Sequence, residues 1–255
     1  MTPLKISIVT VVLNSVDMLQ QCLDSVWSQR AQVLEHVIID GGSTDGSLEL
    51  LTDWQRGRPE FVKLTSGPDK GIADAFNKGI SAASGEWIGI LNADDWYEPH
   101  CLAMLLPLMG KPQIIHGRIR QHDATTGQSR EVGKIDYDPK KDFQPFRKMP
   151  AQHPTCFVPR EIYQQVGMFD NNFKIAMDYE FLLRAHIADV PFHYVPEVIT
   201  NFSTGGVSAE QSLRGSREVM AARILHTGQV WSATWQYLGK AYRQWRRSIG
   251  SRSGK

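Results

Sequence analysis

The first part of the chain alternates between short apolar runs and amphipathic stretches, and this alternation limits the possible folds more than any other feature. The apolar runs are rich in β-branched residues, as expected of parallel strands covered on both faces. They predict strands at 6–13, 36–39, 61–65 and 87–91, with helices at 17–29, 48–54 and from 72 to near 85. Strand–helix alternation predicts a parallel sheet with right-handed crossovers. We therefore expect the loops after the four strands to converge on one edge.

The pattern changes after Ile114, where separate strands and helices replace the regular alternation. We predict strands at 114–122 and 129–135 joined by the turn ATTG, an exposed loop at 136–150, helices at 161–166 and 179–188, and a strand at 192–199 followed by the loop STGGVS. We expect one domain over 1–208, with halves at 1–105 and 106–208, and a helical extension over 209–255.

Composition excludes several classes of protein. The chain has 255 residues, 42% of them hydrophobic, which is enough to bury a large core. Its net charge of +1 favours neither a nucleic acid nor an acidic partner, and no nucleic-acid partner is expected. The three cysteines, Cys22, Cys101 and Cys156, show no CxxC spacing and fit a reduced, cytoplasmic compartment. The apolar run 6–13 is shorter than a secretory core and has no cleavage-like site after it. Since no window approaches a membrane span, any membrane contact is expected to be peripheral.

The segment WIGILNADDWYEP, residues 87–99, places two adjacent carboxylates at the end of the fourth predicted strand. Asp94 and Asp95 follow an apolar run, where core packing gives no reason for paired acids. Such a position lies at the rim of the crevice where open α/β sheets bind ligands. A cation such as Mg²⁺ or Mn²⁺ that bridges the pair to phosphate oxygens would relieve their repulsion, which suggests a nucleoside diphosphate. The alternative is a helix N-cap followed by an acidic first turn.

Polar residues also follow the first and second predicted strands. Asn14 ends the first, and Asp40 ends the second before the turn GGSTDGS. A carboxylate at Asp40 can accept a hydrogen bond from a nucleobase or ribose that lies across the strand tips, although turn chemistry alone also explains it. Because Asn14 and the turn at 68–71 lie on the same predicted edge, we favour a ligand site.

The third predicted strand leads into a helix start surrounded by charged and polar residues. Asp69, Lys70, Asp74 and Asn77 lie at this point, where free N–H groups and partial positive charge suit a phosphate. Lys70 would add a further positive charge. The alternative is that Asp69 and Asp74 only favour the helix start.

Asp178 is a further isolated carboxylate, in the run IAMDYEFLLR. An N-cap role explains it, and a general base at a helix start facing a cleft is the functional alternative. The eight histidines show no paired metal-ligand spacing. His153 remains open as a functional residue, because QHPT follows a flexible loop and precedes the strand-like CFV.

The C-terminal segment predicts an amphipathic helix with an aromatic stripe and many cations. After Glu218 the sequence contains no acidic residue. The stripe consists of Trp231, Trp235, Leu238, Tyr242, Trp245 and Ile249, and the cations beside it are Lys240, Arg243, Arg246 and Arg247. Such a helix can lie in the headgroup region of an anionic bilayer. It can equally pack its stripe on the domain or on a second subunit.

Taken together and in order, seven segments resemble the family-2 glycosyltransferases with the GT-A fold, and most closely the bacterial members that build O-antigen and other surface polysaccharides. The segments are VVLN, IIDGGSTDGS, GPDKGIADAFNKGI, LNADDWYEP, HPTCFVPREIY, VGMFDNNFKIAMDYEFLLR and GGVS. The resemblance covers residues 6–208. It implies an α/β fold with a Rossmann-like, mostly parallel central sheet flanked by helices.

The resemblance also implies roles for individual residues. Asp40 would bind the base of the donor nucleotide, while Asp94 and Asp95 would occupy the DxD-type position, with Asp95 on Mg²⁺ or Mn²⁺ and Asp94 on ribose or metal. Asp178 would be the catalytic base. This sequence departs from many relatives at Met177, where they have Glu, and at Asn92, where they often have Asp.

The implied activity is an inverting, single-displacement transfer from a nucleoside-diphosphate sugar to a hydroxyl of a glycan acceptor. A lipid-linked acceptor would give the C-terminal helix a reason to bind the inner face of the cytoplasmic membrane. Two alternatives are kept open. One is a nucleotidyltransferase, although the sequence has no glycine-rich phosphate loop after the first strand. The other is a non-catalytic sugar-nucleotide-binding subunit of a polysaccharide assembly.

Overall fold

Four parallel strands and their crossover helices form the first half of the molecule. The computed structural model describes residues 5–123, 126–142, 144, 151–204 and 212–250. The strands are β1 (Ile6–Val12), β2 (Glu35–Asp40), β3 (Val62–Ser66) and β4 (Trp87–Asn92). The helices between them are α1 (Val16–Trp27), α2 (Ser47–Arg56) and α3 (Ile72–Ala82). All four strands pair in parallel, so the predicted convergence of their loops on one edge is confirmed.

The second half extends the same sheet. Its strands are β5 (Trp96–Tyr97), β6 (Ile114–Asp123), β7 (Ser129–Val132), β8 (Phe157–Pro159) and β9 (Phe192–Thr204). Within the described residues the order is β3-β2-β1-β4-β8-β6-β9-β5, and β7 pairs with β6. β8 runs antiparallel to β4 and to β6, so β6 and its parallel neighbour β9 point in the same direction as β4. The carboxyl ends of β4, β6 and β9 therefore share one edge.

The remaining helices flank this half of the sheet. They are α4 (Cys101–Leu105), α5 (Pro139–Asp142), α6 (Arg160–Val166), α7 (Met177–Ile187), α8 (Ser212–Thr227) and α9 (Val230–Gly250), with 3-10 turns at Leu106–Leu108 and His153–Thr155. α8 contributes the fully buried Ala222 to the same apolar cluster as Phe181 of α7. The division into 1–208 and an extension over 209–255 stays a prediction.

Side chains on the two faces of the sheet form separate apolar clusters. Alternation along β1 sends Val9 to the cluster of α3, α6 and α7, while Ile8 joins the cluster of α1 and α4. α3 approaches the sheet most closely at Gly79, where an added Cβ would lie 2.2 Å from Val9 Cγ1. Glycine is required there because any side chain would overlap the strand.

Three local differences from the sequence predictions stand out. β9 continues to Thr204 instead of ending at Ile199, because its polar end pairs with both β6 and β5. The predicted loop at 136–150 contains the short helix α5; residues 143 and 145–150 of that loop lie outside the described residues. β6 and β7 pair antiparallel as expected of the predicted hairpin, whose turn residues 124 and 125 also lie outside the described part of the chain.

The predicted aromatic stripe of the C-terminal helix points to solvent over the part that the structure describes. Trp231 is 90% exposed and Trp235 is 78% exposed, and Leu238 and Tyr242 are exposed as well, whereas Ala233 is buried. The exposure of Trp231 and Trp235 argues against the alternative that these two side chains pack on the domain. The side chains of residues 240 and 243–250 lie outside the description. No helix in the described residues is long and apolar enough to cross a bilayer.

Candidate active site

The loops after β1 and β2 are tied to each other at the carboxyl edge of the sheet. The Asn14 N–H donates to Ser43 Oγ (2.9 Å), and the Thr44 N–H donates to Asn14 Oδ1 (2.9 Å). Asn14 adopts a left-handed conformation with φ of 50°, which asparagine tolerates better than most residues. The predicted donor-site residue Asn14 thus shapes the loop that follows Asp40.

Asp40 organises this loop through its carboxylate. It is fully buried, and its oxygens accept hydrogen bonds from the N–H groups of Gly42 (3.1 Å) and Ser43 (3.2 Å) and from Ser66 Oγ (2.6 Å). Burial opposes ionisation, but the hydrogen bonds from Ser43, Ser66 and Gly42 outweigh it, so the pKa of Asp40 is lowered. Asp40 is therefore an ionised carboxylate that joins the ends of β2 and β3. Its predicted contact with a nucleobase stays a prediction.

The loop after β3 brings Asp69 against the loop after β2. Asp69 Oδ2 lies 2.6 Å from the position that a Cβ on Gly41 would take, and Asp69 Oδ1 accepts a hydrogen bond from the Gly71 N–H (2.8 Å). Glycine at position 41 therefore allows the two loops to touch. The neighbouring Lys70 contributes its carbonyl oxygen to Lys174 Nζ (2.9 Å).

Asp94 and Asp95 form an acidic pair in the turn that follows β4. Asp95 is fully buried; its carboxylate accepts hydrogen bonds from the Ser203 N–H (3.1 Å) and from Asn92 Nδ2 (3.2 Å). Burial raises the pKa of Asp95 well above its usual value, and the charge of Asp94 raises it further, against the two hydrogen bonds. Burial also raises the pKa of Asp94. The alternative of a helix cap is wrong, because the next helix, α4, begins only at Cys101 with His100 before it.

This acidic pair fits a hard divalent cation. Its donors are carboxylate oxygens, the ligands that Mg²⁺ and Mn²⁺ prefer, and the two hydrogen-bond donors to Asp95, the Ser203 N–H and the Asn92 amide, are both neutral. No group of three or more His, Cys, Asp or Glu in the described part of the chain is arranged to hold a metal ion. The remaining ligands of a cation at this pair would therefore be phosphate oxygens and water.

Two predicted site residues of α3, Asp74 in its first turn and Asn77 in its middle, have partners within the protein. The side-chain amide of Asn77 binds the backbone of Phe169 in both directions: Nδ2 donates to the carbonyl (2.8 Å), and Oδ1 accepts from the N–H (3.0 Å). Asp74 accepts a hydrogen bond from the Lys70 N–H (3.1 Å) and pairs with Lys78 (3.1 Å). These contacts of Asp74 agree with the alternative that it only favours the helix start. The predicted donor contact of Asn77 stays a prediction.

Asp178 is the second residue of α7, and it is half-buried. The helix N-cap position belongs to Ala176, so the N-cap explanation of Asp178 is wrong. Its Oδ1 accepts a hydrogen bond from the Tyr179 N–H (2.7 Å). The charge of Asp178 acts on the nearby His153: burial lowers the pKa of His153, and the negative charge of Asp178 opposes this effect.

The turn at His153–Thr155 connects Asp178 to the strand that supports the acidic pair. Thr200 Oγ1 of β9 donates to the Pro154 carbonyl (2.8 Å), and Ser203, further along β9, donates to Asp95. Lys174, before α7, reaches the Lys70 carbonyl in the loop that holds Asp69. Asp178 is thus connected to the acidic pair through His153, Pro154 and β9. It is connected to the loop after β3 through Lys174, which lies before it in the chain.

Sequence reasoning missed three residues that shape this site. The first is Ser203, whose N–H donates a hydrogen bond to Asp95. The second is Lys174, which joins the loop before α7 to the loop after β3. The third is Glu218 of α8, which accepts a hydrogen bond from the loop before α7. All three contacts join segments far apart in the sequence, so no local pattern indicates them. Only the lack of acidic residues after Glu218 drew attention to that position.

A mostly parallel sheet whose carboxyl edge gathers Asp40, Asp69 and the pair Asp94 and Asp95 is typical of nucleotide-binding α/β enzymes. A family model described as glycosyl transferase family 2 matches residues 7–167. The chain belongs to this family. It is also 32% identical over 209 residues to an uncharacterised glycosyltransferase of Mycobacterium tuberculosis, with 81% of this chain and 78% of the relative covered.

Solved structures with a similar fold include a complex with UDP-GlcNAc and a mannosyltransferase. Residues 1–349 of Staphylococcus aureus TarS, in complex with UDP-GlcNAc, superpose with a TM-score of 0.66 at 15% identity, covering 92% of this chain and 70% of that one. The mannosyltransferase PcManGT of Pyrobaculum calidifontis, in complex with GDP-Man and Mn²⁺, gives 0.64 at 18% identity, covering 93% and 64%. The expected family and the GT-A fold are confirmed.

Proposed function

We propose that this protein is an inverting glycosyltransferase that depends on Mg²⁺ or Mn²⁺ and transfers a sugar from a nucleoside-diphosphate donor to a hydroxyl of a glycan acceptor. One observation carries the proposal: the acidic pair, Asp94 and Asp95, shares the carboxyl edge of the sheet with Asp40 and Asp69 and is linked through β9 and Pro154 to the turn beside Asp178. Membership of glycosyltransferase family 2 supports it.

The donor lies across the tips of β1, β2 and β4 in this proposal. Asp40 and Asn14 bind the nucleoside side, while Asp69, Lys70 and Asn77 line the approach to the diphosphate. Asp94 contacts the ribose or the cation. The UDP-GlcNAc and GDP-Man in the two structural neighbours are both nucleoside-diphosphate sugars, which supports this donor class for a chain of the same fold.

Asp95, with Asp94, would hold the divalent cation. A cation bound there supplies positive charge that stabilises the diphosphate as it leaves. Two features of the chain support this assignment: the two carboxyl groups are adjacent in the turn after β4, and burial together with the charge of Asp94 raises the pKa of Asp95, an effect that a bound cation would oppose. Mn²⁺ in the mannosyltransferase structure supports the choice of metal.

Asp178 acts as the general base. Its half-buried carboxylate removes the proton from the acceptor hydroxyl as the oxygen attacks the anomeric carbon, and the bond to the diphosphate breaks on the opposite face. One displacement inverts the anomeric centre. Met177 takes the place of the acid found there in many relatives, so Asp178 performs this step without a neighbouring carboxylate at that position.

A screen of nucleotide sugars tests the activity. The purified protein is incubated with each donor and Mn²⁺, release of nucleoside diphosphate is measured, and thermal stabilisation by the nucleotide serves as a separate binding assay. We expect one donor class to give Mn²⁺-dependent release and stabilisation. Failure to bind any nucleoside diphosphate would exclude the proposal, and release of pyrophosphate from nucleoside triphosphates would instead support a nucleotidyltransferase.

Substitutions then separate the two halves of the reaction. Asp178→Asn should lower kcat by about 10²–10⁴-fold while nucleotide binding remains, because it removes only proton transfer. Asp95→Ala should abolish the Mn²⁺-dependent activity. Asp53→Asn, in an exposed pair with Arg56, is the matched control and should behave as wild type. A folded Asp178→Asn variant with unchanged activity would favour the non-catalytic binding subunit.

We further propose that the acceptor is lipid-linked, that the enzyme contributes to a bacterial surface polysaccharide such as O-antigen, and that α9 holds it on the inner face of the cytoplasmic membrane. Trp231, Trp235, Leu238 and Tyr242 present an exposed apolar stripe. The sequence after Glu218 contains cations and no acid, which complements an anionic lipid surface.

Vesicle sedimentation tests the membrane contact. We expect binding to vesicles that contain phosphatidylglycerol, weaker binding to pure phosphatidylcholine, and loss of binding at high salt. The double variant Trp231→Ser/Trp235→Ser should lose binding and keep its fold. Ile135→Ser, which removes an exposed apolar residue outside α9, is the control. If the double variant binds vesicles as wild type does, the stripe does not make the membrane contact. If the variant instead loses self-association, the stripe is a subunit contact.

A further inference from the structure

The start of α7 lacks a cap from its own segment and receives one from α8. Ala176 occupies the N-cap position and provides no side-chain acceptor. Instead, Glu218 Oε2 accepts three hydrogen bonds from consecutive N–H groups, those of Lys174 (3.0 Å), Ile175 (2.7 Å) and Ala176 (2.9 Å). Free N–H groups and partial positive charge at a helix start make this a favourable place for a carboxylate. Glu218 therefore fixes the turn that enters α7.

The packing around Glu218 is close. Gly215 lies one turn earlier on α8, and a Cβ there would be 3.0 Å from Ile175 Cγ2. The second carboxylate oxygen, Oε1, accepts a hydrogen bond from Arg214 Nε (3.1 Å). Burial raises the pKa of Glu218, but the hydrogen bonds outweigh this effect, so its pKa is lowered and the side chain is charged at neutral pH. The carboxylate thus has a partner on each oxygen.

A second contact between the same two helices lies just beyond Asp178. Glu180 is buried and accepts hydrogen bonds from Arg184 Nε (2.6 Å) and from His226 Nε2 of α8 (2.8 Å). Asp178 therefore lies between two points at which α8 holds α7: the Glu218 turn before it and the Glu180 contact after it. The orientation of the Asp178 side chain depends on where this helix begins.

We propose that Glu218 is a positioning residue for the base: by binding the three N–H groups before α7 it sets the direction in which Asp178 faces the acceptor hydroxyl. This inference rests on the proposed function of Asp178. In this proposal α8 influences the reaction indirectly, through the position of Asp178, in addition to connecting the domain to α9. Glu218 touches no reacting atom.

Kinetics of Glu218→Ala and Glu218→Gln test this role. Because a misplacement of about 1 Å can cost about 10²-fold in rate, we expect Glu218→Ala to lower kcat by about that factor, with the donor KM unchanged. Glu218→Gln keeps one oxygen acceptor and should recover much of the loss. The limb of the kcat–pH profile that reports the base should shift in Glu218→Ala only. Asp53→Asn is the control for removal of a surface carboxylate.

Two results would overturn the inference. One is a folded Glu218→Ala variant whose kcat and pH profile match wild type; the other is a loss of kcat that is accompanied by an equal loss of nucleotide binding, which indicates general damage. If wild type turns over no donor, the proposed function fails separately. Hydrogen exchange at the amides of 174–178 then decides the structural step: faster exchange in Glu218→Ala supports positioning of α7, and unchanged exchange rejects it.

Discussion

Gly41 and Asp69 touch across two loops at the sheet edge, so closely that a Cβ on Gly41 would lie 2.6 Å from Asp69 Oδ2. Gly41→Ala should therefore displace Asp69 and weaken nucleoside diphosphate binding by about 10-fold, or cost about 1–3 kcal/mol of stability if the loops cannot move. Calorimetric titration and thermal unfolding measure these two effects. Gly110→Ala, at a position with open space around it, is the control. Unchanged binding and stability would contradict the contact.

Gly79 allows α3 to lie directly on β1. An added Cβ would be 2.2 Å from Val9 Cγ1, so Gly79→Ala should lower the free energy of unfolding by about 1–3 kcal/mol. Val9→Ala in the same chain creates space and should recover part of this loss, giving a favourable coupling energy in a double-mutant cycle measured by urea unfolding. Strictly additive effects of the two substitutions would show that the overlap is relieved elsewhere.

Glu35 makes stability depend on pH at the opposite edge of the sheet. Burial raises its pKa, but Lys63, Ser7 and Ser84 outweigh this and lower it from 4.5 to about 2. A lowered folded-state pKa stabilises the protein above pH 4.5, and this contribution, about 3 kcal/mol, is lost as the pH falls toward 2. The difference in unfolding free energy between wild type and Glu35→Gln should shrink over this window. Glu49→Gln, at an exposed position, should show no such change.

The buried contact between Glu180, Arg184 and His226 should matter far more than a surface ion pair. Glu180→Ala leaves the largely buried Arg184 with backbone carbonyl partners but without a carboxylate, and should cost about 3–5 kcal/mol of unfolding free energy. Asp53→Ala removes the exposed pair with Arg56 and should cost at most about 1 kcal/mol. Denaturant unfolding compares the two variants; equal costs would mean that the Glu180 contact is not formed in solution.

Local patterns in the sequence were sufficient to predict the strands and helices of the first half of the fold. β1 to β4 and α1 to α3 are visible because each has its own periodicity, and the parallel order places Asp40 and Asp95 on one edge without further information. The same reasoning could not reveal that Asn77 binds the Phe169 backbone, since an asparagine within a helix looks the same in the sequence whether its amide faces a ligand or a loop.

Contacts between distant segments account for what the sequence did not indicate. The end of β9 has the buried polar residues Thr200, Asn201 and Ser203, which lie beyond the predicted strand at 192–199. They belong to β9 because β6 and β5 supply backbone partners. Glu218 gave no sign of its role because its three partners precede α7, in another part of the chain. Such contacts depend on how helices pack after they form.

The hydrogen bond from Ser203 to Asp95 has a consequence for how this protein can be divided. Asp95 follows β4, whereas the N–H group of Ser203 that donates to it belongs to β9, 108 residues later in the chain. A fragment that ends at residue 105 would contain Asp40, Asp69, Asp94 and Asp95 but would lack one of the two hydrogen-bond donors of Asp95. The hydrogen bonds of Asp95 are therefore complete only after β9 has joined the sheet, so we expect a chimera of two relatives to need a matching β9.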